Sequence, residues 1–245
     1  MTSDHSPIVE AYKRDGVVQI LQFFSDETVA EIRAELERYL RDDLSTKPVD
    51  ARTLEADGKT IRNLWRLEQH NAFFNELARR SEMIELIEPL VNGDVVLAGV
   101  ETFHKPARIG SAVPLHQDNS YFCRTPPDML TVWVAIDPVT EANGPVTYYR
   151  GSHKLGMLPT RPSGVRGNSI GLADASSVET LEKFVATLSP GDATIHHCQT
   201  VHESASNKTD RSRLGLLFVY RGAHTKTDSQ MKSAYTKAVT ATPPA

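Results

Sequence analysis

The strongest constraint on the fold is a change of hydrophobic period near residue 94. Before it, apolar residues recur at helical spacing in residues 25–42 and 71–91. After it, β-branched and aromatic residues form short extended runs. These runs cover residues 95–103, 114–118, 129–136, 145–149, 193–197 and 214–220. Short strands separated by Gly, Pro and Asp turns, with little helix between them, predict a sandwich or jelly roll rather than a parallel sheet.

The same pattern predicts one catalytic domain over residues 1–245. Residues 12–92 would form a mostly helical support, residues 93–222 the jelly-roll core and residues 223–245 a C-terminal tail. Within the support, the polar residues 43–60 read as a loop. Residues 155–174 are rich in Pro and Gly and have no period, so they predict a long loop that serves as a lid or binding loop.

Composition excludes several classes of protein. The chain has 40% hydrophobic residues, 24% charged residues and a net charge of -4, as ordinary globular proteins do. Its Lys and Arg residues are scattered, which argues against a nucleic-acid partner. The first seven residues lack the apolar core of a secretory signal, and no apolar run approaches the ~18 residues that span a bilayer. We therefore expect a cytoplasmic enzyme without a membrane partner.

A His-x-Asp motif at His116 and Asp118 is the first candidate for metal binding. On a predicted strand, side chains two residues apart point to the same side, so one face would offer two ligands. A surface turn is the alternative. His196, His197 and His202 are candidates for a third ligand, and spacing alone does not choose among them, although adjacent His196 and His197 must face opposite sides. Two histidines and a carboxylate on adjacent strands suit a non-haem Fe(II) oxygenase.

An arginine opens the apolar strand at residues 214–220. If Arg213 points into the barrel, it needs an anionic partner, because an unpaired buried guanidinium is costly. A dicarboxylate cosubstrate would provide this partner through a bidentate contact. The alternative is an ordinary surface ion pair.

These motifs resemble those of the phytanoyl-CoA dioxygenase family of Fe(II)/2-oxoglutarate-dependent oxygenases. The similarity covers about residues 12–222 in order and approximate spacing. The matching pieces are Asp15-Gly16-Val17-Val18, Phe103-His104-Lys105-Pro106, His116-Gln117-Asp118, Asn143-Gly144-Pro145, Gly151-Ser152-His153-Lys154, Gly191-Asp192, and His202-x-Ser204-x-x-Asn207 with Arg213.

The resemblance implies a fold, a set of cofactors and specific roles. The fold would be mainly β, a double-stranded β-helix or cupin-like jelly roll buttressed by N-terminal helices, and the cofactors Fe(II), 2-oxoglutarate and O2. It assigns the third metal ligand to His202. It also assigns the distal carboxylate of 2-oxoglutarate to Arg213, assisted by Ser204, with Trp133 lining the pocket. Arg211 is a rival for Arg213, and Trp133 could equally be a plain core residue.

The resemblance also limits the reaction. Related halogenases lack the metal-ligating carboxylate, so Asp118 favours hydroxylation of an unactivated C–H bond over chlorination. Desaturation, cyclisation and epimerisation stay open, and no catalytic group is predicted beyond the metal centre. This chain departs from the family pattern after Asn143-Gly144, where it has Pro145-Val146-Thr147-Tyr148. That departure leaves one pocket wall undetermined.

The substrate is predicted to be a small metabolite, and nothing in the sequence demands coenzyme A. Asn119 and Tyr121 lie just beyond the metal ligands, and Arg161 and Arg166 lie in the predicted loop, so these four are candidate substrate contacts. For the two arginines, a solvated loop charge is the alternative. Two alternatives are a non-catalytic cupin-like binding protein, which would need a broken triad or a missing cosubstrate arginine, and a Zn-dependent hydrolase that uses the same triad. A hydrolase would not require Arg213.

Overall fold

The computed structural model describes residues 5–165 and 167–241, which form two main antiparallel sheets with helices on one side. The strands are β1 (Val17–Ile20), β2 (Arg52–Leu54), β3 (Ile61–Leu64), β4 (Val95–Lys105), β5 (Val113–His116), β6 (Arg124–Thr125), β7 (Met129–Ala135), β8 (Val146–Tyr149), β9 (Thr160–Val165), β10 (Asn168–Leu172), β11 (Lys183–Val185), β12 (Ala193–His197), β13 (His202–Ser204), β14 (Arg213–Gly222) and β15 (Lys226–Thr227). The helices are α1 (Ser6–Asp15), α2 (Asp26–Arg38), α3 (Leu67–His70), α4 (Ala72–Leu77), α5 (Ser81–Ile87), α6 (Asn119–Phe122) and α7 (Ser229–Ala241). A π-helical turn covers Tyr39–Asp43, and 3-10 turns cover Leu44–Thr46, Val49–Ala51, Glu88–Leu90 and Ser152–Leu155.

The two main sheets face each other across a cavity. The larger sheet has the strand order β1-β12-β7-β14-β4-β3-β2, and the smaller sheet has the order β11-β8-β13-β5. Side chains from both sheets line the space between them. The predicted double-stranded β-helix is therefore confirmed.

Strand alternation divides β14 between two environments. Leu216, Phe218 and Tyr220 point into the main hydrophobic core, whereas Leu217 and Val219 line the cavity. The core lies between the larger sheet and helices α2, α4 and α5, which contribute side chains that include Ile32, Phe74 and Ile87. The N-terminal helices thus buttress the outer face of the larger sheet.

The predicted helix at residues 25–42 is observed as α2 and the π turn that follows it. Ser25 caps α2, because its hydroxyl oxygen accepts a hydrogen bond from the Thr28 backbone N–H at 3.3 Å. Asp26 and Glu27 occupy the first turn, where the helix dipole favours acids.

The prediction of a mostly helical support was incomplete. Strands β1, β2 and β3 all belong to the larger sheet, and β2 lies inside the predicted loop at residues 43–60. β1 pairs with β12, and β3 pairs with β4 through Asn63 and Phe103. The β-branched residues after Gly16 predict the short strand that is observed as β1. β2 and β3 have three and four residues, too few to establish an alternating pattern in the sequence.

The predicted long loop at residues 155–174 contains a β-hairpin instead. Strands β9 and β10 pair antiparallel, with Arg161 opposite Gly171. β9 is mostly exposed and carries Pro162 and Gly164, so it lacks the apolar alternation by which strands are recognised.

Within the predicted C-terminal tail, residues 229–241 form the helix α7, which the sequence reasoning did not predict. Asp228 caps this helix by accepting hydrogen bonds from the backbone N–H groups of Gln230 and Met231, both at 2.9 Å. Tyr235 packs edge-on against Tyr121, with ring centroids 6.0 Å apart. Because the segment is mostly polar, its sequence shows no apolar period that would predict a helix. The Asp228 cap and the contact between Tyr235 and Tyr121 stabilise α7. Residues 242–245 lie outside the described part of the chain.

Among residues 5–165 and 167–241, no helix has the length and apolar character to cross a membrane.

Candidate metal centre

The cavity between the sheets has a volume of about 380 Å³. Strands of both sheets, the β9–β10 hairpin and α7 supply its walls. The centre of interest within it is a group of two imidazoles and one carboxylate.

His116 and His202 are direct neighbours on paired strands. His116 ends β5 and His202 begins β13, and the two residues are register partners. Their ring centroids are 4.2 Å apart. Asp118 Oδ1 lies 3.4 Å from His116 Nε2 and 3.6 Å from His202 Nε2. One ligand atom from each of the three side chains lies within 4.8 Å of the other two, so the group could hold one metal ion.

Asp118 does not reach the centre by strand alternation. β5 ends at His116, and Asp118 has helical dihedral angles (φ -58°, ψ -33°) immediately before α6. The buried Gln117 fixes this change of direction, because its side chain donates to the carbonyls of Gly156 and Gln199, both at 2.8 Å. It also accepts from the Leu158 N–H at 2.9 Å. The predicted pair of ligands is present, but the strand geometry predicted for Asp118 was wrong.

Backbone carbonyls fix the tautomer of both histidines. His116 Nδ1 lies 2.7 Å from the Pro114 carbonyl oxygen, and His202 Nδ1 lies 2.9 Å from that of Thr200. A carbonyl can only accept, so each Nδ1 carries the hydrogen and each Nε2 turns a lone pair toward Asp118. Burial lowers the pKa of His202 to about 3, so this imidazole is neutral at neutral pH. When both rings are neutral, two Nε2 lone pairs and a carboxylate oxygen converge, and this donor set fits a divalent cation.

The second oxygen of Asp118 is held separately. Asp118 Oδ2 accepts hydrogen bonds from Thr131 Oγ1 and His196 Nε2, both at 3.1 Å. Burial raises the pKa of Asp118, and the hydrogen bond donated by His196 is among the contacts that outweigh burial and hold this pKa well below its usual range. Asp118 is therefore a carboxylate with Oδ2 occupied and Oδ1 directed at the two Nε2 atoms.

His196 and His197 face opposite sides of β12, as predicted. His196 faces the cavity and contacts Asp118. His197 packs on the other side against Tyr12 and His153, with ring centroids 6.0 and 5.5 Å away. His196 hydrogen-bonds the carboxylate and is not part of the three-residue ligand group.

A buried arginine lies at another part of the cavity wall. Arg213 is 2% exposed, and its Nε and Nη2 donate to the Gly144 carbonyl oxygen at 3.2 and 2.7 Å. Its guanidinium carbon lies 4.9 Å from the ring centroid of Trp133. Burial lowers the pKa of Arg213 to about 10, which leaves it cationic at neutral pH. Within residues 5–165 and 167–241, no carboxylate forms an ion pair with it.

Of the other residues predicted to bind the cosubstrate, two line the cavity and one is exposed. Trp133 and Ser204 are buried and line the cavity. Arg211, the rival anchor, is exposed. Lys105 is the register partner of Arg213 and donates to the carbonyls of Ser111 (2.6 Å) and Ala205 (2.7 Å). Burial and the neighbouring Arg213 lower the pKa of Lys105 to about 6.

The predicted substrate contacts divide into three groups. Tyr121 lines the cavity, and its hydroxyl donates to the Ile170 carbonyl at 2.7 Å. Asn119 does not line the cavity, because both ends of its carboxamide bond the backbone of Arg124, at 3.1 and 2.9 Å. Arg161 is exposed on β9 and also lies outside the lining. Asn119 and Arg161 are thus not among the lining residues, and Arg166 lies outside the described residues, so a substrate contact by any of these three stays a prediction.

Sequence reasoning missed several residues of the lining. Val146 and Tyr148 form the wall left undetermined by the departure after Asn143-Gly144, and the Tyr148 hydroxyl lies 2.8 Å from Thr194 Oγ1. Further lining residues that had no predicted role are Arg62, Trp65, Glu101, Phe103 and Tyr235. Glu101 had a detectable signal, since it is the one acid within the apolar run at residues 95–103.

Two curated proteins resemble this chain along most of its length. An ectoine dioxygenase of Stutzerimonas stutzeri is 28% identical over 228 residues, covering 87% of this chain and 75% of that protein. An L-proline trans-4-hydroxylase of Streptomyces griseoviridis is 25% identical over 237 residues, covering 88% and 87%.

A solved structure supports the same fold, and a family model identifies the chain. The crystal structure of EctD from S. alaskensis with 2-oxoglutarate and 5-hydroxyectoine superimposes with a TM-score of 0.80 at 20% identity, covering 93% of this chain and 80% of that one. The model of the family described as phytanoyl-CoA dioxygenase matches residues 12–215. The chain therefore belongs to the phytanoyl-CoA dioxygenase family of Fe(II)/2-oxoglutarate-dependent oxygenases.

Proposed function

We propose that this enzyme hydroxylates an unactivated C–H bond of a small-molecule metabolite and couples this oxidation to decarboxylation of 2-oxoglutarate to succinate. One observation carries the proposal. A donor set that fits a divalent cation shares a cavity with a buried arginine that has no carboxylate partner among the described residues. The two features together match a metal and a dicarboxylate that are bound side by side.

His116, Asp118 and His202 would hold Fe(II). The carbonyl contacts of the two Nδ1 atoms aim both Nε2 atoms at the ion, and the hydrogen bonds from Thr131 and His196 leave Asp118 with one oxygen for it. Three protein ligands leave open coordination positions for 2-oxoglutarate and O2. When bound with these, Fe(II) supplies the oxidising power to insert an oxygen atom into a C–H bond.

Arg213 would bind the distal carboxylate of 2-oxoglutarate. Its two hydrogen bonds to Gly144 use the edge formed by Nε and Nη2, so the edge formed by Nη1 and Nη2 is left for a bidentate contact. Trp133 lies against the guanidinium and fixes its plane, and Ser204 lines the same cavity. The exposed position of Arg211 favours Arg213 as the anchor.

The size of the cavity favours a small substrate. A volume of about 380 Å³ is near the lower end of the ~300–1,000 Å³ typical of small-molecule pockets, and 2-oxoglutarate takes part of it. Apolar and aromatic residues, including Phe103, Phe122 and Leu217, form part of the wall against which such a substrate would pack. Because Asp118 occupies the position that related halogenases leave open for halide, hydroxylation is favoured over chlorination.

The proposal is tested by succinate formation from 2-oxoglutarate with Fe(II), O2 and a panel of small metabolites. Arg213→Met should raise the KM for 2-oxoglutarate at least about tenfold, since it removes a charge-assisted contact, and Arg211→Met should leave it unchanged. Equal effects of the two substitutions would contradict the assignment. A binding protein or a Zn-dependent hydrolase on the same triad would form no succinate and would leave the buried Arg213 without an explanation.

A further inference from the structure

Glu101 is a charged group of the cavity lining that the proposed chemistry does not use. It lies on β4, is partly buried, and lines the cavity. Among residues 5–165 and 167–241, no group forms a hydrogen bond or an ion pair with its carboxylate. A carboxylate in such a position is costly unless something compensates for it.

The other charged groups of the cavity have partners. Arg62 donates to Asn168 Oδ1 at 2.9 Å and lies 3.9 Å from the carboxylate of Glu55. Lys105 donates to two backbone carbonyls, and Asp118 contacts three histidines. Glu203 accepts a hydrogen bond from the Tyr149 hydroxyl at 2.8 Å. With Arg213 left for the cosubstrate, Glu101 is the acidic group that a second ligand would meet without another polar partner, and a cation beside it would favour its carboxylate form.

Glu101 is also well separated from the cosubstrate end. It lies four residues before Lys105 on the same strand, which corresponds to about 13 Å along the backbone. Its Oε1 atom lies over Gly99, where an added Cβ would be 3.5 Å away, so the side chain turns away from Lys105. Gly99 and Val219 are register partners, as are Val219 and Thr131, the residue that bonds Asp118. The carboxylate thus leans toward the strand positions that lie nearest the metal ligands.

Aromatic rings form part of the lining of the cavity that Glu101 faces. Trp65 and Phe103 meet edge to face with centroids 5.6 Å apart, and Tyr121 and Tyr235 do so at 6.0 Å. All four line the cavity. Aromatic faces attract cations and repel anions. The rings and the Glu101 carboxylate therefore both favour a ligand with a positive charge.

We propose that Glu101 selects a substrate that carries a positive charge, a small aliphatic ammonium compound whose cationic nitrogen pairs with this carboxylate. The inference rests on the proposed function, because it concerns the second ligand of the same site. The carboxylate would hold the ammonium group and thereby position a neighbouring C–H bond at the metal centre. Glu101 is accordingly a specificity-determining residue.

Tryptophan fluorescence offers a direct test, since both tryptophans of the chain, Trp65 and Trp133, line the cavity. Protein loaded with Fe(II) and 2-oxoglutarate without oxygen is titrated with n-butylammonium, n-butyrate and n-butanol. We expect n-butylammonium to bind most tightly. Glu101→Gln should weaken its binding by about tenfold to a hundredfold, the usual effect of losing a hydrogen bond to a charged group. Glu37→Gln, which removes an exposed carboxylate on α2, should have no effect.

Glu101→Asp distinguishes loss of the carboxylate from misfolding caused by a substitution at this position. It keeps the carboxylate, so it should keep the preference for n-butylammonium over n-butanol. Equal binding of these two compounds to the unaltered protein, or unchanged n-butylammonium binding in Glu101→Gln, would overturn the proposal. The 2-oxoglutarate titration of the unaltered protein is scored separately, through the emission of Trp133 beside Arg213. If 2-oxoglutarate does not change this emission, the proposed function is refuted. The preference for n-butylammonium over n-butanol is a separate result, so the two failures can be told apart.

Discussion

Glu101→Gln should stabilise the folded protein, by an amount that grows with pH. Burial raises the pKa of Glu101 from its ordinary 4.5 to about 8, with further contributions from Asp118 and Glu68 that outweigh the opposing effect of Arg66. The folded state therefore holds this proton more tightly than the unfolded chain does. The stability that the protonated carboxyl provides is complete below pH 4.5 and is lost as the pH rises through about 8.

The magnitude follows from the rise in pKa. A rise of about 3.5 at 1.36 kcal/mol per pKa unit gives a ceiling of roughly 5 kcal/mol. Because the carboxylate faces a cavity that water can enter, we expect about 1–3 kcal/mol, the usual cost of an uncompensated polar group. Glutamine has nearly the same shape and does not titrate, so the substitution removes this cost.

Urea denaturation of the metal-free protein at pH 5 and pH 8.5 measures the effect. The free energy of unfolding of Glu101→Gln should exceed that of the unaltered protein much more at pH 8.5 than at pH 5. Glu37→Gln, whose carboxylate is exposed, should show no such difference. A gain of the same size at both pH values, or a loss of stability at pH 8.5, would refute the reasoning.

Two further predictions concern the support of the metal ligands. His196→Phe removes a hydrogen bond to Asp118, so Fe(II) affinity, measured by competition with a chelator, should fall about 10–100-fold; unchanged affinity would show that this contact does not orient the carboxylate. Gln117→Leu removes three buried hydrogen bonds to the backbone, so the free energy of unfolding should fall by about 2–4 kcal/mol; a change below ~0.5 kcal/mol would mean that the turn before Asp118 is held by other contacts.

The sequence predicted the ligand types better than it predicted their geometry. His-x-Asp and the later histidines indicated a metal site, but the choice of His202 depended on the family resemblance. The physical reason is that His202 is selected by its register opposite His116, and cross-strand register is not encoded in the spacing along the chain. Asp118 is placed by a turn that Gln117 holds through contacts with distant segments.

Long, regular elements were predicted more accurately than short or polar ones. The apolar, β-branched runs of β7, β12 and β14 identified them as strands, whereas β2 and β3 are too short and β9 is too exposed to give a period. These missed elements matter for the site, because Arg62 lies on β3 and the β9–β10 hairpin reaches the cavity. Tyr235 reaches the cavity from α7, which the polar sequence concealed.

Anaerobic addition of Fe(II) and then 2-oxoglutarate, followed by visible absorption, tests most directly whether one cavity binds both. The unaltered protein should develop a charge-transfer band only when both are present, because the band requires 2-oxoglutarate bound to an iron that His116, Asp118 and His202 hold. Asp118→Ala should fail to develop it. Absence of the band in the unaltered protein, or an undiminished band in Asp118→Ala, would contradict the account.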